Sequence, residues 1–138
     1  MPYPEEMVAP MRAEAVGAGA AELRTAQDVR IAMEHRSGSA LYFINSVCGC
    51  SAASARPGLS LSLKGAKRPD RVYTSFAGND TEAVAEIRRN MPGIPPSSPS
   101  MALFRDGLLV AVVERHDIQG STAQQCADRL SGLFAEHC

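Results

Sequence analysis

No stretch of this 138-residue chain is apolar for long enough to cross a membrane. Positive charge is not concentrated either. Fourteen lysines and arginines face fifteen acidic residues, for a formal net charge of −1. The densest basic stretch, Lys64 to Arg71, is interrupted by Asp70. Nucleic-acid binding needs a clustered basic face, so no nucleic acid is expected as a partner and that stretch reads as a solvated loop. The N-terminus, Met1-Pro2-Tyr3-Pro4-Glu5-Glu6, has neither the positive start nor the apolar middle of a signal peptide. The expectation is a cytoplasmic protein with no membrane partner. Internal repeats and low-complexity segments are missing too. What remains is an ordinary globular composition, 45% apolar and 21% charged, in a length that suits one domain over residues 1–138.

Cysteine is sparse at four residues. In a reducing cytosol so few thiols point to catalysis or a metal rather than a disulfide framework. Two of them, Cys48 and Cys50, flank a single glycine directly after the apolar run Ala40-Leu41-Tyr42-Phe43-Ile44. Thiols that close either share a metal or act as a dithiol/disulfide couple. A zinc site needs four ligands, commonly in two paired groups. Here only one close pair exists, and His35, His116, His137, Cys126 and Cys138 are scattered, so no metal is expected and the redox reading is the stronger one. The alternative class is a small metal-binding or adaptor module.

The pair sits where a strand hands over to a helix. Unpaired N–H groups and the helix dipole at that end stabilise a thiolate, which is the species that attacks disulfides. Cys48, first in the turn, is expected to be the nucleophile. Cys50, entering the helix, is expected to resolve the mixed disulfide. Gly49 is expected to give the backbone freedom that a tight turn linking two bonded sulfurs needs. Cys126 lies on an apolar helical stripe and reads as a packed small hydrophobe. Cys138 reads as a frayed terminus, with an auxiliary thiol as the sharper alternative.

Periodicity lays out the remainder. Glu5 to about Val16 reads as a helix ended by Gly17-Ala18-Gly19, and Ala20 to Leu23 as a weak edge strand. Thr25 with Asp28 predicts a helix start, and Ala26, Val29, Ala32 and Met33 trace its buried face. Ala40 to Asn45 has the continuous apolarity of a central strand. Ser51 to Arg56 suits a helix that Pro57-Gly58 kinks or interrupts. Val72 to Phe76 is a strand. Asp80 or Thr81 caps a helix carrying Val84, Ile87 and Met91. Pro92 to Pro99 forbids regular structure. Met101 to Val113 is a β-hairpin turning at Asp106-Gly107. Ser121, with Gln124 three residues on, opens a last helix that buries Ala123, Cys126, Ala127, Leu130, Leu133 and Phe134. Strands separated by helices, followed by a hairpin, predict an α/β fold with a mixed sheet between helical layers.

Three segments together carry a resemblance: Asn45-Ser46-Val47-Cys48-Gly49-Cys50, Pro96-Ser97-Ser98-Pro99-Ser100-Met101-Ala102-Leu103, and Glu114-Arg115-His116-Asp117-Ile118-Gln119-Gly120. With Val8-Ala9-Pro10-Met11-Arg12 and the terminal His137-Cys138, they make the chain similar, over almost its whole length, to the bacilliredoxins. These are thioredoxin-like bacterial proteins with a Cys-Gly-Cys active site. The resemblance implies a thioredoxin-like three-layer α/β/α fold with an extra N-terminal helix, and removal of bacillithiol from protein mixed disulfides. Cys48 would then take the bacillithiol and Cys50 release it. Bacillithiol is a thiol substrate here, and no bound cofactor is implied. The partners are bacillithiolated or disulfide-containing client proteins. A general protein disulfide isomerase or reductase is the alternative. The resemblance also implies that Pro99 is a cis-proline facing the active turn, with the Ser98 backbone pairing to substrate. His116, after the last strand, is a candidate for proton transfer, against a plainer role in fixing its loop with Asp117.

Overall fold

The structure is a computed structural model and describes residues 2–138. Strands β1 (Ala21–Glu22), β2 (Ser39–Asn45), β3 (Arg71–Phe76), β4 (Ser100–Arg105) and β5 (Leu108–Val113) form one sheet in the order β1-β3-β2-β4-β5. β2 lies at its centre, with every residue buried. It pairs parallel to β3 (Tyr42 beside Tyr73) and antiparallel to β4 (Tyr42 beside Ala102). The continuous apolarity of Ala40–Ile44 follows from this, because helices cover both faces. The hairpin turn holds Asp106 at φ 52° and Gly107 at φ 82°, the paired left-handed conformations that a two-residue connection between twisted strands requires.

Six helices flank the sheet among the described residues: α1 (Glu5–Ala18), α2 (Ala26–Glu34), α3 (Arg56–Ser62), α4 (Thr81–Arg89), α5 (Arg115–Ile118) and α6 (Ala123–His137). One face carries a core to which α1, α3 and α6 contribute Ala15, Leu59, Leu130 and Phe134 against Leu41, Phe43 and Leu103. The other carries Val29, Ala32, Val84 and Ile87 of α2 and α4 against Tyr42, Ile44 and Phe104. The alternation of Leu41/Phe43 with Tyr42/Ile44 reflects the two-residue period of a strand. The fold is the thioredoxin-like α/β arrangement with an N-terminal helix that the resemblance implied.

Local signals were good guides to most ends. Thr25 and Asp28 form the expected reciprocal cap of α2. The start of α6 is shifted by one: Thr122 accepts from the Gln125 N–H at 3.1 Å, and the Gln125 side chain accepts from the Thr122 N–H at 2.9 Å. The Ser121-Gln124 pair has the same spacing, but the Ser121 hydroxyl is instead donated to the Asp117 carbonyl. Pro57-Gly58 does not break its helix. A π-helical turn, Ser51–Ala55, runs directly into α3, and the Arg56 N–H reaches back five residues to the Ser51 carbonyl. The widened turn accommodates the proline, which lacks an N–H and would crowd the preceding turn of a regular α-helix.

Candidate active site

The site is assembled where β2 ends. The Asn45 side chain is buried there, and its Oδ1 accepts from the Ser46 N–H (2.9 Å), the Ser51 hydroxyl (3.1 Å) and Arg56 Nη1 (3.0 Å). Its Nδ2 donates to the Met11 carbonyl at 3.0 Å, tying the strand end to α1. Arg56, only 3% exposed, also donates Nη1 to the Ser46 carbonyl and the Ser51 hydroxyl, and Nε to Glu14. One guanidinium thus holds both ends of the segment bearing the two thiols. Arg56 and Asn45 were not singled out by sequence. The available signal was a charge and an amide embedded among small or apolar neighbours.

Above this platform the thiol turn is a helix start. The Ser46 hydroxyl accepts from the Cys48 N–H at 3.2 Å. The Cys48 carbonyl accepts from the Ser51 and Ala52 N–H groups, and Cys48 Sγ accepts from the Cys50 N–H at 3.4 Å. Cys48 therefore occupies the capping position, with sulfur in the role usually taken by a serine or aspartate oxygen. All four cysteines are free thiols. Hydrogen bonding from the Cys50 thiol holds the Cys48 thiol below its ordinary range, assisted by backbone N–H groups and the Arg115 charge, against a smaller effect of burial. Cys50 is pushed the other way, by burial first and then by Cys48. Its side chain packs against the core beneath α3 and α6.

Gly49 is exposed and its φ lies outside the left-handed region. A Cβ there would meet open space. The free-thiol turn therefore does not draw on glycine's conformational freedom, which is expected of the turn once its two sulfurs are bonded. At Gly58 the need is steric. An added Cβ would stand 2.7 Å from Cys126 Cβ and 3.1 Å from the Ala123 carbonyl, so only glycine allows α6 to lie this close to α3.

Cys48 and Gly49 open into a cleft of about 480 Å³ lined also by Tyr3, Ser46, Val47, Ala77, Gly78, Ser98 and Arg115. The Ser98–Pro99 peptide is cis; Ser98 lines the cleft and Pro99 is buried. The structure thus brings Cys48, Gly49 and Ser98 onto one cleft, with Cys50 hydrogen-bonded to Cys48 through its N–H. His116 is exposed and is not on the cleft. Its Nε2 lies 3.6 Å from Asp117 Oδ1 and 3.9 Å from Glu114 Oε2. Its neighbour Arg115 lines the cleft instead. Both residues stand in one sequence motif, and nothing local in that motif distinguishes the cleft-facing arginine from the exposed histidine.

Cys138 is remote. Ser54 bonds the Ser121 carbonyl and Gly58 abuts Cys126, so α3 and α6 advance in the same direction. Twelve further residues of helical rise carry Cys138 about 18 Å beyond Cys126, away from the dithiol. Cys126 is buried, and burial pushes its thiol up, as befits a packing residue. Among the described residues, the grouping with metal-ligand spacing is Glu114, His116 and Asp117, which contains no cysteine. Asp117 Oδ2 is already engaged by the Glu114 N–H at 2.9 Å.

The family model described as disulphide isomerase matches residues 3–138. A bacilliredoxin of Cytophaga hutchinsonii is 47% identical over 134 residues, covering 97% of this chain and 98% of that protein. A bacilliredoxin of Geobacillus kaustophilus is 47% identical over 137 residues, covering 99% and 94% respectively. One from Salinibacter ruber is 46% identical over 140 residues, covering the whole of this chain and 82% of the relative. With a capped dithiol turn at the mouth of a cleft, and likeness at this level from end to end, the chain belongs to the bacilliredoxin family of thiol–disulfide redox proteins.

Proposed function

We propose that the protein is a thiol–disulfide oxidoreductase that removes bacillithiol from client-protein cysteines through its Cys48/Cys50 dithiol. The Cys48 thiolate attacks the bacillithiol sulfur of the mixed disulfide. The old S–S bond breaks and the client cysteine leaves as a thiolate. Cys48 is then neutral, which removes part of what disfavours ionisation of Cys50. The Cys50 thiolate attacks Cys48 Sγ and expels bacillithiol as a thiolate that takes up a proton from solvent. The resulting Cys48–Cys50 disulfide is reset by two electrons from an external thiol reductant. No bound cofactor enters, and a reducing, cytoplasmic setting suits the cycle.

The observation that carries this reading is the division of labour between the sulfurs. Cys48 caps the helix and lines the cleft, while Cys50 stays against the core with its thiol directed to Cys48. The test is mass spectrometry of reduced protein mixed with oxidised bacillithiol. Cys50→Ser should retain a single bacillithiol on Cys48, and Cys48→Ser should take none. An adduct on Cys48→Ser but not on Cys50→Ser reverses the roles, and no adduct on either ends the proposal. A second reading, general disulfide isomerase or reductase, is favoured by the family model's description. It requires faster turnover of internal protein disulfides than of bacillithiol mixed disulfides.

A further inference from the structure

Arg115 is the one charged side chain among the residues lining the thiol cleft. Among the described residues no carboxylate lies within ion-pairing distance of it, whereas Arg12, Arg24, Arg30, Arg56 and Arg89 are all paired. Its N–H donates to Ser97 Oγ at 3.3 Å, and its Nη1 reaches the Ser98 carbonyl only at 3.5 Å, at the limit of a hydrogen bond. The backbone is held and the guanidinium fork keeps most of its donors unspent. Tyr3 stands among the other lining residues and is fixed in place. Its N–H donates to Asn79 Oδ1 and its carbonyl accepts from Asn79 Nδ2, both at 2.9 Å, while its ring rests against Gly78. A Cβ at Gly78 would come within 3.0 Å of that ring. A cleft of about 480 Å³ is of the size that holds a small ligand rather than a bare sulfur.

We propose that Arg115 is a specificity-determining residue: it receives a carboxylate of the low-molecular-weight thiol whose sulfur is attacked by Cys48, so that the enzyme selects anionic thiols. The planar fork matches a carboxylate in a way that a point charge does not. The proposal rests on the reading of Cys48 as nucleophile toward a small thiol, and adds the chemical class of that thiol. Attack proceeds as above, with the disulfide bond broken and one thiolate released. Arg115 takes no proton and only orients the reacting half.

Three small symmetrical disulfides of nearly equal size test it: anionic dithiodiglycolate, neutral bis(2-hydroxyethyl) disulfide and cationic cystamine. Adduct formation on Cys48 is timed in the Cys50→Ser background with Arg115 intact, with Arg115→Ala and with Arg115→Lys. Each rate is divided by the thiolate fraction measured from ultraviolet absorbance, since the Arg115 charge also acts on Cys48. Arg115→Ala should lower the anionic-to-neutral rate ratio about tenfold and raise the cationic-to-neutral ratio. Arg115→Lys should recover only part of the anionic preference. Unchanged ratios in Arg115→Ala overturn the assignment while leaving the nucleophile in place. Full recovery with lysine overturns the carboxylate fork and leaves a mere field effect. Absence of adduct with all three disulfides overturns the nucleophile reading and this one together.

Discussion

Two buried arginines hold this molecule together near its thiols, and they are bonded differently. Arg12 of α1 meets a carboxylate as buried as itself, Nη1 and Nη2 donating to the two oxygens of Asp80 at 2.8 and 2.9 Å. Glu5 adds a further partner, and the guanidinium lies 5.4 Å from the Phe76 ring centroid. Arg56 spends Nη1 on neutral acceptors at the thiol turn, and its one carboxylate, Glu14, is 53% exposed. The first is a neutralised clamp. Asp80 also accepts from the Phe76 N–H at 2.8 Å, so the clamp fixes the turn that presents Ala77 and Gly78. The second is a brace aimed at the reactive segment. Burial of charge serves stability in one place and the shape of a reactive turn in the other.

The contrast is open to direct attack. Arg12→Met leaves Asp80 buried without its ion partner and should cost about 3–5 kcal/mol in a urea titration, the largest effect foreseen. Arg56→Met removes hydrogen bonds to mostly neutral acceptors and should cost about 1–3 kcal/mol. It should nevertheless slow iodoacetamide capture of Cys48 far more than Arg12→Met does. Equal loss of thiol reactivity in the two variants would erase the distinction between clamp and brace.

Proton linkage sharpens the same comparison on the thiol side. The Cys48 thiol is held below the ordinary range near 8.5 and Cys50 above theirs. Alkylation of reduced protein should therefore fall with acid only once pH passes below that range. Cys50→Ala removes the chief cause of the depression and should move the fall toward higher pH. An unmoved profile would transfer the credit to the backbone and Arg115.

The smallest effect belongs to an exposed carboxylate at the far end of the sheet. Asp70 accepts from the Ser39 N–H at 2.9 Å, and that bond, with lesser help from Arg105 and Arg71, holds it below the usual carboxylate range. A depressed folded value means stability present above the unfolded pKa of about 3.9 and lost as pH falls through the folded one. Asp70→Asn should cost under about 1 kcal/mol at pH 7. The difference from the parent should vanish on acidification. A cost that persists in acid would show that the geometry, and not the charge, matters there.

Much of this was legible in one dimension. The unbroken apolarity of Ala40–Ile44 announced a central strand, Thr25 and Asp28 announced a cap, and Asp106-Gly107 announced a hairpin. The dithiol was legible because its two thiols are neighbours in sequence. What escaped notice depends on partners distant along the chain: Arg56 meets Glu14 across 42 positions, and Tyr3 meets Asn79 across 76. Local pattern says nothing of such pairings. Arg115 was missed for a different reason, since only the path of the loop after β5 decides which of two adjacent side chains faces the thiols.

The paired hydrogen bonds between Tyr3 and Asn79 pin Tyr3 at the lip of the cleft with its ring against Gly78, so replacing Asn79 by a residue without an amide would loosen that wall and widen the entrance beside the thiols.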